Sequence, residues 1–376
     1  MRIVIATDSF KGSISAKGAC ARIKQGMEEV LSAQYFTVPM ADGGEGTVEA
    51  LVAALNGRIV STEVTGPLGE KVQAHFGVLK DRKTAVIEMA AASGLPLVPD
   101  GLRNPELTTS YGTGELIRAA LDEGCQELII GIGGSATNDG GAGMIQALGG
   151  HLLRKDGTSI GFGGRSLLEL DRIDLRDLDP RLGQVKIQVA CDVDNPLYGP
   201  KGAAFVYGPQ KGANPQQVEL LDGALRHWAD MINKGLGIDV GDVPGAGAAG
   251  GLGAGFLAFT DANLRPGIEI VMETVGLEEL IKDADLVITG EGSIDGQSVR
   301  GKTPVGIAKV ASKYNCPVIA IVGSVGPGSE QVHDCGITAY FSIINRPMSL
   351  ASAMDKTGEL LEGLAGQIGR LIKAWV

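Results

Sequence analysis

Hydrophobic positions in this chain gather into short unbroken runs, and most of these runs end in glycine, aspartate or serine. Arg2–Ala6, Glu127–Gly131, Lys186–Asp192, Asp285–Thr289, Pro317–Val322 and Ile337–Ile343 read as strands covered on both faces, with a shorter one at Tyr35–Pro39. Apolar residues recur with helical spacing over Ser15–Ser32, Thr47–Leu55 and Ala142–Leu148, the last stopped by Gly149 and Gly150. Strands alternating with helices predict parallel sheets and an α/β protein. Val72–Leu79 and Lys83–Met89 instead alternate apolar with polar around a turn at Lys80–Arg82, the pattern of a β-hairpin. Thr65-Gly-Pro-Leu-Gly69 reads as a linker. The pattern therefore predicts two α/β domains. Residues 1–65 and 285–376 form a Rossmann- or flavodoxin-like parallel-sheet domain, and 66–284 form a second α/β domain inserted into it. The active site is expected in the cleft between them.

In open α/β sheets, ligands bind beyond the carboxyl ends of the strands. At those ends this chain places Asp8, Ser9, Lys11 and Ser13, then Asp42 and Glu45 in ADGGEGT, Asp192 and Asp194 in CDVDNP, and Glu291 and Asp295 in GEGSID. The run GIGGSATNDGGAG, residues 131–143, joins the Glu127–Gly131 strand to the next helix and is built for an anion. Its glycines let backbone N–H groups approach a phosphate, and Ser135, Thr137 and Asn138 add side-chain donors. Asp139 is placed to hold a cation or to cap the helix. A dinucleotide fingerprint fits Gly131–Ala136, yet Thr137–Gly141 does not favour the immediate helix that the fingerprint requires. A second G-x-G-x-x-G lies in PGAGAAGGLGAG, residues 244–255, without a clear strand before it, and close backbone packing explains it equally well. Gly296–Thr303 fits the P-loop expression, but the preceding strand is expected to end about six residues too early, so no P-loop fold is predicted. Lys302, at the start of a helix, still suits a phosphate.

Composition narrows the partners. A net charge of −11 argues against nucleic acid and anionic membrane surfaces. Five cysteines without C-x-x-C spacing, among four scattered histidines, argue for a reducing compartment and against a zinc site. The first apolar run is broken at Asp8, so no signal peptide is expected, nor a membrane span, and the protein is expected in the cytoplasm. Oligomeric state is not readable.

Taken in order, DSFKGS at 8, ADGGEGT at 41, GIGGSATNDGGAGM at 131, CDVDNP at 191, GPQKGA at 208, PGAGAAGGLGAG at 244 and the GEGSID…GKTP stretch from 290 resemble the bacterial glycerate kinase family of the type that phosphorylates the 2-hydroxyl. The resemblance covers almost the whole chain. It implies a two-domain α/β kinase, not of P-loop type, that uses ATP and Mg²⁺ to phosphorylate D-glycerate to 2-phosphoglycerate, with 3-phosphoglycerate the less favoured product. Phosphoryl transfer is mostly positioning and charge neutralisation, and the motif-borne cations are Lys11, Lys211, Lys302 and Arg300. Gly133, Gly134, Ser135, Asn138, Gly140, Gly141, Lys211 and Lys302 are assigned to the nucleotide phosphates. Asp8, Ser9, Lys11, Asp42 and Glu45 are assigned to glycerate. Asp192 is assigned as the base that accepts the hydroxyl proton, with Lys11 and Asp295 as further catalytic groups, and Asp295 with Glu291 as metal ligands. The carboxylate roles can exchange at this stage. Two other readings are an NAD-dependent hydroxy-acid oxidoreductase, supported by the glycine fingerprints, and a non-catalytic sugar-acid-binding regulator, which would not need so many carboxylate-bearing loops.

Overall fold

The structure is a computed structural model that describes residues 1–296 and 298–375, with Arg300 as backbone only. Its chain divides into two compact units, one of Met1–Asp42, Glu49–Asn56 and Ile268–Val376, the other of Gly43–Val48 and Gly57–Gly267.

The first unit holds a five-stranded sheet in which every neighbouring pair is parallel, ordered Ala339–Ser342, Val318–Val325, Leu286–Ile294, Arg2–Thr7, Gln34–Thr37. The uninterrupted apolar runs are explained by burial on both faces, with Ile3, Val4, Ile5 and Ala6 all fully inaccessible. Ile3, Ile5, Ile288 and Ile321 share one core with Ile23 and Met27 of helix Ala16–Glu28 and with Leu361 and Ile368 of helix Thr357–Lys373. Those two helices pack closely, since a Cβ on Gly26 would stand 2.1 Å from the Glu362 carbonyl oxygen. Ser15 caps the first helix by accepting from the Gly18 N–H, whereas the Ser13 hydroxyl donates to the Met354 carbonyl.

From Arg2–Thr7 the chain moves outward to Gln34–Thr37, and from Leu286–Ile294 it moves outward the other way through Val318–Val325 and Ala339–Ser342. The topological switch point therefore lies between Arg2–Thr7 and Leu286–Ile294, the crevice that favours ligands in this architecture. Register there ends with Thr7 opposite Gly290.

The second unit carries a six-stranded sheet ordered Asn263–Arg265, Lys186–Ala190, Glu127–Gly131, Thr84–Glu88, Lys71–Val78, Arg58–Thr65. Its first four strands are parallel; the last two are antiparallel, and Lys71–Val78 with Thr84–Glu88 form the expected hairpin. Arg58–Thr65 is a strand that the hydrophobic pattern missed. It pairs along its whole length with Lys71–Val78, from Arg58↔Val78 to Thr65↔Lys71, and this is why it belongs to the second unit although the sequence places the division at 65. Likewise Ile268–Val275 lies in the first unit, ahead of the division expected at 285. Among the described residues, no helix is long and apolar enough to cross a membrane.

The run at 244–255 is a packing surface. Helix Ala248–Phe259 opens through left-handed Ala249, Gly250 and Gly251 and lies backbone to backbone on the 131–143 loop. Gly140 donates its N–H to the Gly250 carbonyl at 3.0 Å and accepts from the Trp228 indole at 3.0 Å. A Cβ on Gly250 would fall 1.9 Å from the Thr137 carbonyl oxygen, and one on Gly255 2.9 Å from that of Gly140. Gly250→Ala, at φ +71°, should therefore cost about 3 kcal/mol or more through strain and overpacking. Gly223→Ala, in the open interior of helix Pro215–Leu236, should instead stabilise by roughly 0.5–1 kcal/mol. Thermal unfolding of the two variants checks the contrast; equal shifts would contradict the packing role.

Candidate active site

Asp8 and Glu291 follow directly on Thr7 and Gly290, the last residues paired between strands Arg2–Thr7 and Leu286–Ile294, Glu291 itself continuing the second strand opposite Val322. Both are buried, at 6% and 8% exposure, so the switch point carries two dehydrated carboxyl groups. Asp8 accepts from its neighbour's Ser9 N–H at 2.6 Å and from the Thr303 hydroxyl at 2.9 Å. Burial, and then the Asp42 carboxylate, push its pKa up to about 6, against the opposing pull of those two bonds and of Lys11. Glu291 accepts from the Ser298 hydroxyl at 2.9 Å. Burial, helped by Asp8 and Asp42, raises it to about 7 against the opposing pull of the Ser298 bond and Lys302. Lys302 is the N-cap residue of helix Thr303–Ser312, while Lys11 is exposed on the loop after the first strand. Asp8, Lys11, Asp42, Glu291 and Lys302 thus influence one another within a single unit, as the strand-end positions suggest.

The strand before GKT runs to Ile294, farther than the sequence reading allowed, so the spacing argument against a P-loop does not hold. Local geometry supplies another. The turn closes on itself, with Ser298 N–H donating to the Asp295 carbonyl, Asp295 N–H to the Ser298 hydroxyl, and Gly296 N–H to the Pro327 carbonyl. Thr303 is turned to Asp8. Gln297 and the Arg300 side chain lie outside the described residues. Ser298 and Thr303 were not singled out from sequence; their only signal was membership of the motif.

Hard oxygen donors in a dehydrated pocket suit a small divalent cation. The buried Thr289 hydroxyl, two residues before Glu291 and so on the same face of the strand, has no partner among the described residues. Among the described residues, however, no group of three or more His, Cys, Asp and Glu forms a ready-made metal cage. Asp295 is half-buried at the turn.

In the second unit only Gly133 and Gly134 of the 131–143 loop are exposed at its tip. Ser135, Asn138, Gly140 and Gly141, assigned to phosphate from sequence, turn inward and are buried. The Gly140 N–H is taken by Gly250, and the Gly141 N–H points to the Asp139 carboxylate at 3.3 Å. Asp139, far from holding a cation, is almost fully buried and also accepts from the Ser110 N–H, the Ser110 hydroxyl and the Gly143 N–H. Lys211 is likewise buried and donates to Ser135 and to the Thr137 carbonyl. The glycine density reflects a packed interior at least as much as an anion cradle. The Asn138 amide and the Thr137 hydroxyl are buried without a partner among the described residues, the condition that a polar ligand or an ordered water relieves. The following helix, Ala142–Ala147, is too short for its dipole to carry the argument.

Asp192 lies beyond its strand, which ends at Ala190, and is exposed. One of its carboxylate oxygens accepts from the Gly267 N–H at 2.9 Å. Glu45 is exposed and belongs to the second unit, whereas Asp42 belongs to the first.

Known proteins resemble this chain along almost its whole length. The sequence model described as the glycerate kinase family matches residues 3–373. A glycerate 2-kinase of Escherichia coli is 57% identical over 92% of this chain and 91% of its own. A glycerate kinase of Halalkalibacterium halodurans is 56% identical over 99% and 98%. The crystal structure of a putative glycerate kinase 2 from Salmonella typhimurium superposes with a TM-score of 0.91 at 52% identity, covering 100% of this chain and 98% of that one. Similarity of this depth along almost the entire length, in sequence and in fold, means that the chain belongs to the glycerate kinase family.

Proposed function

We propose that this protein is an ATP-dependent glycerate kinase that transfers the γ-phosphate to the 2-hydroxyl of D-glycerate, giving 2-phosphoglycerate. The observation that carries the reading is the 57% identity to a protein named glycerate 2-kinase, joined to a buried carboxylate pair at the switch point of the first unit. An oxidoreductase loses its support, because the 244–255 glycine run is occupied in packing and the 131–136 run does not open a helix, the next one starting only at Ala142.

Asp8 is the better candidate for the base. A carboxylate held near pKa 6 is ionised at neutral pH yet more basic than an ordinary aspartate, the condition that favours taking a hydroxyl proton. Asp192, exposed and holding the Gly267 N–H, is assigned instead to fixing the local backbone. Ser9, Lys11 and Asp42 lie with Asp8 on the glycerate side, Lys11 and Lys302 supply positive charge, and the exposed Gly133–Gly134 tip receives the ATP phosphates. Glu291 and Asp295 would hold Mg²⁺, which takes few protein carboxylates and keeps water and phosphate oxygens as its other ligands. When bound, the ion neutralises charge on the phosphate oxygens.

Incubating the protein with ATP, Mg²⁺ and D-glycerate should consume ATP, and NMR of the product should show phosphate on the 2-position. ATP levels unchanged across a panel of small hydroxy acids would sink the proposal, and phosphate on the 3-position would correct it. Asp8→Asn should lower kcat by about 10² or more, while Asp192→Asn, which keeps an acceptor for the Gly267 N–H, should stay within roughly tenfold. The opposite ranking would return the base role to Asp192.

Acidity tests the same assignment. The base must be ionised, so kcat/KM should fall as pH drops below about 6, and this limb should vanish in Asp8→Asn. Because the folded-state pKa lies above the unfolded value, folded protein binds this proton more tightly, and the associated stability is lost as pH rises through about 6. Stability of Asp8→Asn relative to the parent should therefore increase by about 2–3 kcal/mol between pH 4 and pH 8. Parallel urea-unfolding curves at both pH values would contradict this.

A further inference from the structure

We propose that Lys211 is a positioning residue: it holds the 131–143 loop from inside the second unit, through Ser135 and Thr137, so that the Gly133–Gly134 tip is fixed for the nucleotide without Lys211 touching it. The proposal rests on the kinase reading for its nucleotide and on the geometry of the loop for everything else.

Lys211 is only 2% exposed. It ends a tight turn, Pro209–Lys211, whose backbone closes through Lys211 N–H to the Gly208 carbonyl and Ala213 N–H to the same carbonyl. Gly212 follows at φ +96°, where a Cβ would stand 2.4 Å from the Arg103 carbonyl oxygen, so the turn has little freedom to redirect the lysine outward. From this fixed root the amino group donates to the Ser135 hydroxyl at 2.8 Å and to the Thr137 carbonyl at 2.6 Å. Ser135 directly follows the exposed tip, and Thr137 lies two residues after Ser135. A buried amine with donors directed at the loop is a strut, whereas a phosphate ligand must reach solvent.

The far side of the loop is held in the same way. Asp139 collects the Ser110 N–H at 2.7 Å, the Ser110 hydroxyl at 2.8 Å, and the Gly141 and Gly143 N–H groups at 3.3 Å each. Burial pushes Lys211 down to about 7, and the Asp139 carboxylate pulls it back up. The two groups sense each other's charge across the loop, although each is held by partners of its own. The loop thus has two internal fixings, one cationic and one anionic, on either side of Asn138.

The test uses Ser135→Ala, Lys211→Met and their combination in the full chain. Without any ligand, hydrogen exchange in Lys211→Met should quicken selectively at residues 133–141, with strands Glu127–Gly131 and Lys186–Ala190 unchanged. With ATP and Mg²⁺, KM for ATP should rise about tenfold or more, because the tip is no longer held in its binding shape before the nucleotide arrives, while KM for glycerate stays within about twofold. The double variant should be no worse than Lys211→Met alone, since Lys211→Met already removes the Ser135 contact along with that to Thr137. If Lys211→Met does not fold, Lys211→Met with Asp139→Asn removes both buried charges and takes its place. Unchanged loop exchange together with a raised KM for ATP would make Lys211 a direct phosphate ligand and overturn the proposal. So would quickened exchange throughout the second unit, the mark of a merely structural lysine. Because the exchange arm needs no nucleotide, its outcome stands even if ATP proves not to be the substrate.

Discussion

Parallel pairing between the strand at the start of the chain and the one at Leu286–Ile294 is the constraint on which the first unit depends. It seats Ile3 and Ile5 beside Ile288 in one core, and its register leaves Asp8 and Glu291 as neighbours just past the last paired residues. Sheet order reverses at this pair, the position at which open α/β sheets favour a ligand beyond the carboxyl ends of the strands. The apolar surroundings then act on the carboxyl groups themselves. Taking a carboxylate out of water raises its proton affinity, and placing Asp42 nearby raises it again. One feature of the fold thus supplies both the place and the basicity, at a cost to the stability of the folded state near neutral pH.

The second unit meets a different constraint. A tip proposed to receive phosphate must be open to solvent and yet keep its shape, and a loop of small residues has no side-chain core to stiffen it. Here stiffness comes from backbone contact: glycine-rich 244–255 lies directly on the loop, the Trp228 indole holds the Gly140 carbonyl, and Lys211 and Asp139 fix polar groups from within. Only Gly133 and Gly134 are left outside. A loop ordered in advance loses less conformational entropy when a ligand arrives, and its donors need less reorganisation.

The two units illustrate why a glycine motif is ambiguous when read alone. Absence of a Cβ permits close approach to a phosphate and close approach to another backbone equally well. At Gly133 and Gly134 the approach is open to solvent, whereas at Gly140, Gly250 and Gly255 it is to the chain itself.

Local pattern was sufficient for the strands buried on both faces, for the hairpin around Lys80–Arg82 and for placing Asp8 just past the first strand, because these follow from periodicity and turn composition. It also carried the family, since seven motifs in order leave little room for coincidence. Arg58–Thr65 escaped because a half-exposed edge strand of mixed polarity becomes a strand only through its partner Lys71–Val78. The direction in which Lys211, Ser135 and Asn138 point is a matter of burial, and burial is also what favours Asp8 over Asp192 as the proposed base. A side chain's solvent exposure is set by residues distant in sequence, and exposure determines whether a lysine meets a phosphate and whether an aspartate holds its proton to pH 6.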